Sequence, residues 1–175
     1  MASVRTPMQN KVIGRALADA RVAIKLKPSQ LPLARVTDLA LRANAYRIIG
    51  RPELALRDFR DAVRVMPTYQ IANEKLAWFL ATCPDDHVRN GTEAVSVAKK
   101  ACELSNWKRS RTIDTLAVAY AEADDFDQAV KYEKQSLNDS SLASKEREER
   151  EKRLALLSSE NHSVKTSLRI PECAY

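Results

Sequence analysis

Apolar positions along the chain recur at helical spacing, and the smallest of them recur in one fixed pattern. Ala16, Ala20, Ala23 and Pro28 stand at offsets 0, 4, 7 and 12, and Ala55, Phe59, Ala62 and Pro67 repeat those offsets. Ala94, Ala98 and Ala101 repeat the first three, and Ala129, Glu133 and Ser136 follow with two substitutions. Offsets of 0, 4 and 7 fall on one stripe of an α-helix. Small side chains there let a second helix approach closely, and the proline stops the helix. Successive cycles lie 39, 39 and 35 residues apart. A period of that size specifies stacked helical hairpins, an α-solenoid.

A further helix precedes each full cycle. Leu39, Ala43 and Tyr46 lead to Gly50, a left-handed helix stop, after which Arg51-Pro52 opens the next helix. Leu76, Ala77 and Leu80 form the corresponding stripe in the second cycle, and Ile113, Leu116, Ala117 and Tyr120 in the third. The pattern predicts an all-α protein of seven or eight helices without a β-sheet. It places a half-repeat over residues 10–28 and antiparallel hairpins over 36–67, 70–105 and 110–138, all within one repeat domain spanning 1–140. The half-repeat lacks a leading helix, so part of its stripe of Ile13, Leu17, Ala20 and Ile24 calls for a cover. Preceding segments of a longer protein, a partner, or a second copy in a weak homo-oligomer would each supply one.

After Leu137 the character changes. Residues 145–153 contain no apolar side chain, and Glu146–Arg150, Glu148–Lys152 and Glu149–Arg153 all have the favourable i,i+4 order. This reads as a charged helix over 141–158 that caps the repeats, docked near its ends by Leu142 and by Leu154 or Leu157. A flexible tail over 159–175 is expected beyond it.

Composition then narrows the function classes. With 45% apolar and 30% charged residues the chain is that of a soluble protein that folds. Three glycines argue against a turn-rich β-sandwich and against a glycine-cradled phosphate site. No apolar run approaches the roughly 20 residues that span a bilayer, and nothing near Met1 directs secretion. Cys83, Cys102 and Cys173 cannot all pair within one chain, so free thiols in a reducing, cytoplasmic compartment are expected. Cys83 and His87 have a metal-like spacing, but a tetrahedral site needs two more ligands and His162 is the only other histidine. No metal or other cofactor is expected, and nothing marks Cys83 and His87 as an activated nucleophile pair. G-x-S-x-G, a Walker-type lysine loop and H-E-x-x-H are all missing, so the chain reads as non-catalytic. The acidic pairs Asp85-Asp86 and Asp124-Asp125 fall in predicted turns, where they are expected to cap the following helices.

The net charge of +6 is uneven: residues 1–69 carry 13 Lys/Arg against 5 Asp/Glu, and residues 70–142 carry 9 against 12. Binding of nucleic acid or an anionic surface through the basic N-terminal part is therefore an alternative reading. The basic residues are dispersed singly, as at Arg57, Arg60 and Arg64, without interleaved aromatics. That is the pattern of a solvated helix face, and it ranks nucleic acid behind a protein partner.

The run Leu39, Ala43, Tyr46, Gly50, Ala55, Phe59, Ala62 and Pro67 resembles the 34-residue tetratricopeptide repeat at nearly every signature position. Arg42 stands where an apolar residue is usual, and Asp124 where the turn glycine is usual. Between Leu80 and Ala94 the chain runs 14 residues rather than 9, an insertion carried by Cys83 to Gly91. Residues 76–130 are similar to a tetratricopeptide variant common at the ends of bacterial proteins, through Leu76-Ala77-Trp78, Arg89-Asn90-Gly91 and Asp114-Thr115-Leu116-Ala117 among others.

The resemblance implies an interaction scaffold in which the first helix of each hairpin lines a concave groove for an extended peptide or partner helix. Its lining would be Asn44, Arg47 and Ile48, then Glu74 and Trp78, then Arg111, Asp114, Val118 and Glu122. Asn44 can bond a peptide backbone as donor and acceptor, and Arg47 can fork onto a carboxylate, which favours an acidic ligand. Trp78 is either an apolar anchor or a packing residue between helices. Ala40 and Glu74 occupy places where the clamp for C-terminal carboxylates has its lysine and asparagine, so that clamp is not expected. Such repeats often follow enzymatic or signalling domains, so a regulatory appendage of a larger enzyme is a further alternative.

Overall fold

The structure, a computed structural model, describes residues 32–158 and, before them, only Lys11, Gly14, Arg15 and Ala18, all four helical. The stripe of the half-repeat, the oligomer contact expected there, His162, Cys173 and the tail all lie outside the described residues. Residues 32–158 form seven helices, and among the described residues there is no strand: α1 (Pro32–Ile48), α2 (Pro52–Val65), α3 (Gln70–Thr82), α4 (Gly91–Leu104), α5 (Ser110–Glu122), α6 (Phe126–Ser136) and α7 (Ser144–Ser158). None is long and apolar enough to cross a membrane. The chain divides into two compact units, residues 1–67 and 68–175.

In the first unit α1 and α2 pack as a hairpin. Gly50 closes α1 with φ +72°, and the next amide, Arg51 N, donates back to Tyr46 O at 2.9 Å. Pro52 then opens α2, where its missing N–H costs nothing. Ala43, Ala55, Phe59 and Ala62 are all buried. Arg42, a charged residue on an otherwise apolar stripe, is accommodated by its partner across the hairpin. Its Nε and Nη2 donate to the two oxygens of buried Asp58, each at 2.6 Å, and the guanidinium lies 5.9 Å from the Tyr46 ring centroid. A forked pair of this kind satisfies both charges at once.

In the second unit α3 pairs with α4 and α5 with α6, α5 lies against both α3 and α4, and α7 lies on α6. Ala77, Ala94, Ala98, Ala101, Ala117 and Ala129 are buried, as the small-residue spacing requires of close helix contacts. Every residue of α5 from Thr112 to Ala121 is buried. Asp124 takes the left-handed conformation that Gly50 takes in the first unit, with φ +64°, and Asp125 N donates to Tyr120 O at 3.0 Å. A short acidic side chain tolerates this region better than most residues do. Asp125 then caps α6, accepting from Gln128 N at 3.2 Å.

The other acidic pair does not cap. Asn90 caps α4 by accepting from Glu93 N at 2.9 Å, because Asp85 and Asp86 stand too far ahead of the helix start to reach its amides. Instead the inserted segment is a folded loop clasped by Arg89. Its Nη1 donates to Cys83 O at 2.7 Å and its Nε to Glu122 at 3.0 Å, and the same guanidinium pairs with Asp86. Val88 is buried within the loop.

A close backbone approach in the second unit is at Gly91, the first residue of α4. A Cβ added there would stand 2.6 Å from Ala123 N and 2.7 Å from Glu122 C, backbone atoms that cannot swing aside. Gly91→Ala should therefore lower the unfolding free energy by about 1–3 kcal/mol through overpacking. At the neighbouring exposed position, Thr92→Ala should change it by less than about 0.5 kcal/mol. Urea titration checks both, and equal midpoints for the two variants would refute the close contact.

A candidate binding face and its arginine-held end

Asn44, Arg47 and Ile48 sit in the last turns of α1, each half-buried, with Arg47 complementing the negative end of the helix. They belong to the first unit. The other six predicted lining residues belong to the second unit, Glu74 and Trp78 on α3 and Arg111, Asp114, Val118 and Glu122 on α5.

The packing of α5 on α3 brings two of these together directly. Glu74 is buried, Arg111 Nε lies 3.3 Å from its Oε1, and Thr112 Oγ1 donates to its Oε2 at 3.0 Å. Trp78 is half-buried, and the Arg111 side chain is 48% exposed. Glu122 is tied to the inserted loop through Arg89. Val118 is only 1% exposed and belongs to the core, and Asp114 is 5% exposed.

What occupies Asp114 is α7. Arg147, Arg150 and Arg153 follow one another at three-residue spacing, so they share a face of that helix, with Leu157 one turn further. Arg147 donates to Leu137 O at 3.1 Å and to Asp139 O at 2.8 Å. Arg150 donates to Ser136 O at 3.3 Å and lies 3.8 Å from Asp114 Oδ1. Arg153 donates through Nε and Nη2 to Glu133 Oε1, at 3.2 and 2.8 Å, and also pairs with Asp114. The seat thus consists of acceptors: two carboxylates, the Ser136 and Leu137 carbonyls at the end of α6, and the Asp139 carbonyl just beyond it.

Sequence reasoning placed the docking of α7 on its leucines. Leu157 is buried, whereas Leu142 and Leu154 are half-buried and the arginines provide the specific contacts. Of the three expected i,i+4 pairs, Glu148–Lys152 forms at 2.6 Å, while Arg150 and Arg153 reach the body of the unit. The signal that could have found this was the 147/150/153 spacing together with Glu133 in a small-residue slot.

Two further clusters complete the unit. Tyr120 and Tyr132 stack at 5.5 Å between centroids, Trp107 stacks on Tyr132 at 5.9 Å, and Lys99 and Lys131 each lie 5.3 Å from a tyrosine ring. Cys83 and Cys102 are both buried, and burial pushes Cys102 up to about 12, which leaves it protonated and unreactive at neutral pH. Among the described residues no three His, Cys, Asp or Glu side chains group to hold a metal ion.

Glu133 is fully buried and, among the described residues, its Oε2 has no hydrogen-bond partner. Burial pushes its carboxyl from the ordinary 4.5 up to about 7, against the opposing pull of Arg153 and Arg150 and with Asp114 adding to the rise. A raised carboxyl favours the folded state most below 4.5, and that contribution is lost as pH rises through about 7. Glu133→Gln removes the titration. From pH 4.5 to 8 the difference in unfolding free energy should therefore move steadily in the variant's favour. Denaturant titrations across that range test it, and parallel pH profiles for variant and parent would show that Glu133 does not titrate there.

Set against protein-family models, the chain matches none, and no curated protein is significantly similar to it in sequence.

Proposed function

We propose that the chain is a non-catalytic protein-interaction module of tetratricopeptide type, binding an extended peptide or a partner helix on the first helices of its hairpins. One observation carries this reading. In the second unit, Glu74 on α3 receives Arg111 and Thr112 from α5, and Asp114 on α5 receives Arg150 and Arg153 from α7. A carboxylate on α3 is thus answered from α5 37 and 38 residues later, and a carboxylate on α5 is answered from α7 36 and 39 residues later. Stacking hairpins in one register produces that recurrence, and a bundle without repeats has no reason to.

Recognition then works by shape and charge, without turnover. Trp78 supplies a half-buried aromatic surface of the type enriched at binding hot spots. Arg111, about half exposed on the adjoining helix, presents a guanidinium that matches a carboxylate in an acidic ligand.

A displayed random-peptide library panned against the full chain tests the reading. Trp78→Ala should weaken the captured peptides about tenfold, ~1.4 kcal/mol, with the melting temperature essentially unchanged. Arg111→Lys keeps the ion pair to Glu74 but loses the planar fork, and should weaken acidic peptides by a smaller factor. Captured peptides whose affinity ignores both substitutions would sink the assignment.

A further inference from the structure

The contacts of α7 are unusual for a packed helix because the adhesive is polar. Along its length only Arg150 and Leu157 are buried, and Leu156 is exposed. Its arginines meet Asp114, Glu133 and the carbonyls of Ser136 and Leu137. Water, or another guanidinium, can replace each of these bonds at modest net cost, whereas a helix held by a wide apolar face has no such substitute. The seat left behind would be the carboxyl groups of Asp114 and Glu133 beside the C-terminal end of α6, rich in hydrogen-bond acceptors. Among the described residues Glu133 Oε2 already lacks a hydrogen-bond partner there, although the residue is fully buried. The seat therefore retains acceptor capacity that α7 does not use.

We infer that the Asp114–Glu133 seat on α5 and α6 is a docking site for a helix bearing an arginine stripe, that α7 is its intramolecular occupant, and that a partner helix of the same chemistry displaces α7. This rests on the reading of α5 as part of the binding face, and it names the partner class for the Asp114 end of that face. Charge complementarity commits the occupant: an acidic peptide is repelled from this end, whatever it does at Arg111. Tethering makes α7 a strong competitor, since a short linker gives an effective concentration on the order of millimolar. An incoming helix must therefore either exceed α7 in arginine contacts or meet a chain in which α7 has been loosened.

The probe is a labelled synthetic peptide of residues 144–158, Ser-Lys-Glu-Arg-Glu-Glu-Arg-Glu-Lys-Arg-Leu-Ala-Leu-Leu-Ser, added to the full chain. The full chain carrying Arg150→Ala and Arg153→Ala should bind this peptide at least tenfold more tightly than the parent does. Binding should weaken with added salt. It should vanish when the peptide carries the same two substitutions, or when Asp114→Asn is added to the chain. A folded double variant that ignores the peptide overturns the inference. Binding that survives Asp114→Asn but is lost with Trp78→Ala overturns the seat while leaving the peptide-face reading standing. Conversely, a seat that behaves as expected while library peptides ignore Trp78→Ala sinks that reading alone.

If the double variant does not fold, hydrogen exchange on the parent decides. Amides of α7 should exchange at least tenfold faster than those of α5 and α6, with the gap widening in salt. Equal protection would make α7 an inseparable part of the unit and overturn the inference. Dimers of the parent that disappear with Arg150→Ala and Arg153→Ala would put a second copy's α7 in the seat, which also overturns the assignment to a partner.

Discussion

Close approach of one helix backbone to another is the constraint on which the rest of this molecule depends. Alanines at Ala43, Ala55 and Ala62 in the first unit, and at Ala77, Ala94, Ala98, Ala101, Ala117 and Ala129 in the second, are buried where larger side chains would hold helices apart. Gly91 takes this to its limit, with α5 backbone standing where a Cβ would be. At such separations methyl groups and backbone set the register, and a single added carbon is felt. A helix gripped this way cannot slide or roll. The buried length of α5 carries Glu74's partners, Arg111 and Thr112, and, one turn on from Arg111, Asp114.

Charges within these contacts follow one rule: each has an answering group on a neighbouring helix. Arg42 finds Asp58 across the first hairpin, Glu74 finds Arg111 and Thr112, and Asp114 and Glu133 find Arg150 and Arg153. Removing one member of such a set strands the other, so these groups specify pairing more than they add net stability.

Much of the fold was legible because its causes are local. The 0/4/7 spacing marked the contact stripes, Gly50 and Pro52 marked a turn, and Asp125 marked the start of α6, all through interactions within a few residues. The capping role assigned to Asp85-Asp86 failed for an equally local reason: Asn90 stands next to the helix and they do not. The surroundings of the residues expected to line a binding face were legible only in part. Glu74 and Arg111 do meet, but Val118 lies in the core and Asp114 is occupied, because burial depends on every helix packed around α5.

Helix content, helix limits and the small-residue contact stripes were determined by the amino-acid order alone, since propensity, capping and periodicity act over one or two turns. Which charges would be exposed and which paired was decided by the tertiary structure. Residues 145–153 look like a helix solvated on all sides, and their own i,i+4 partners are as near in sequence as any could be. Yet Arg153 is drawn to Asp114, 39 residues earlier, and to Glu133, 20 residues earlier. Buried carboxylates bind a guanidinium more strongly than a water-screened glutamate on the same helix does, and only the folded unit creates that burial.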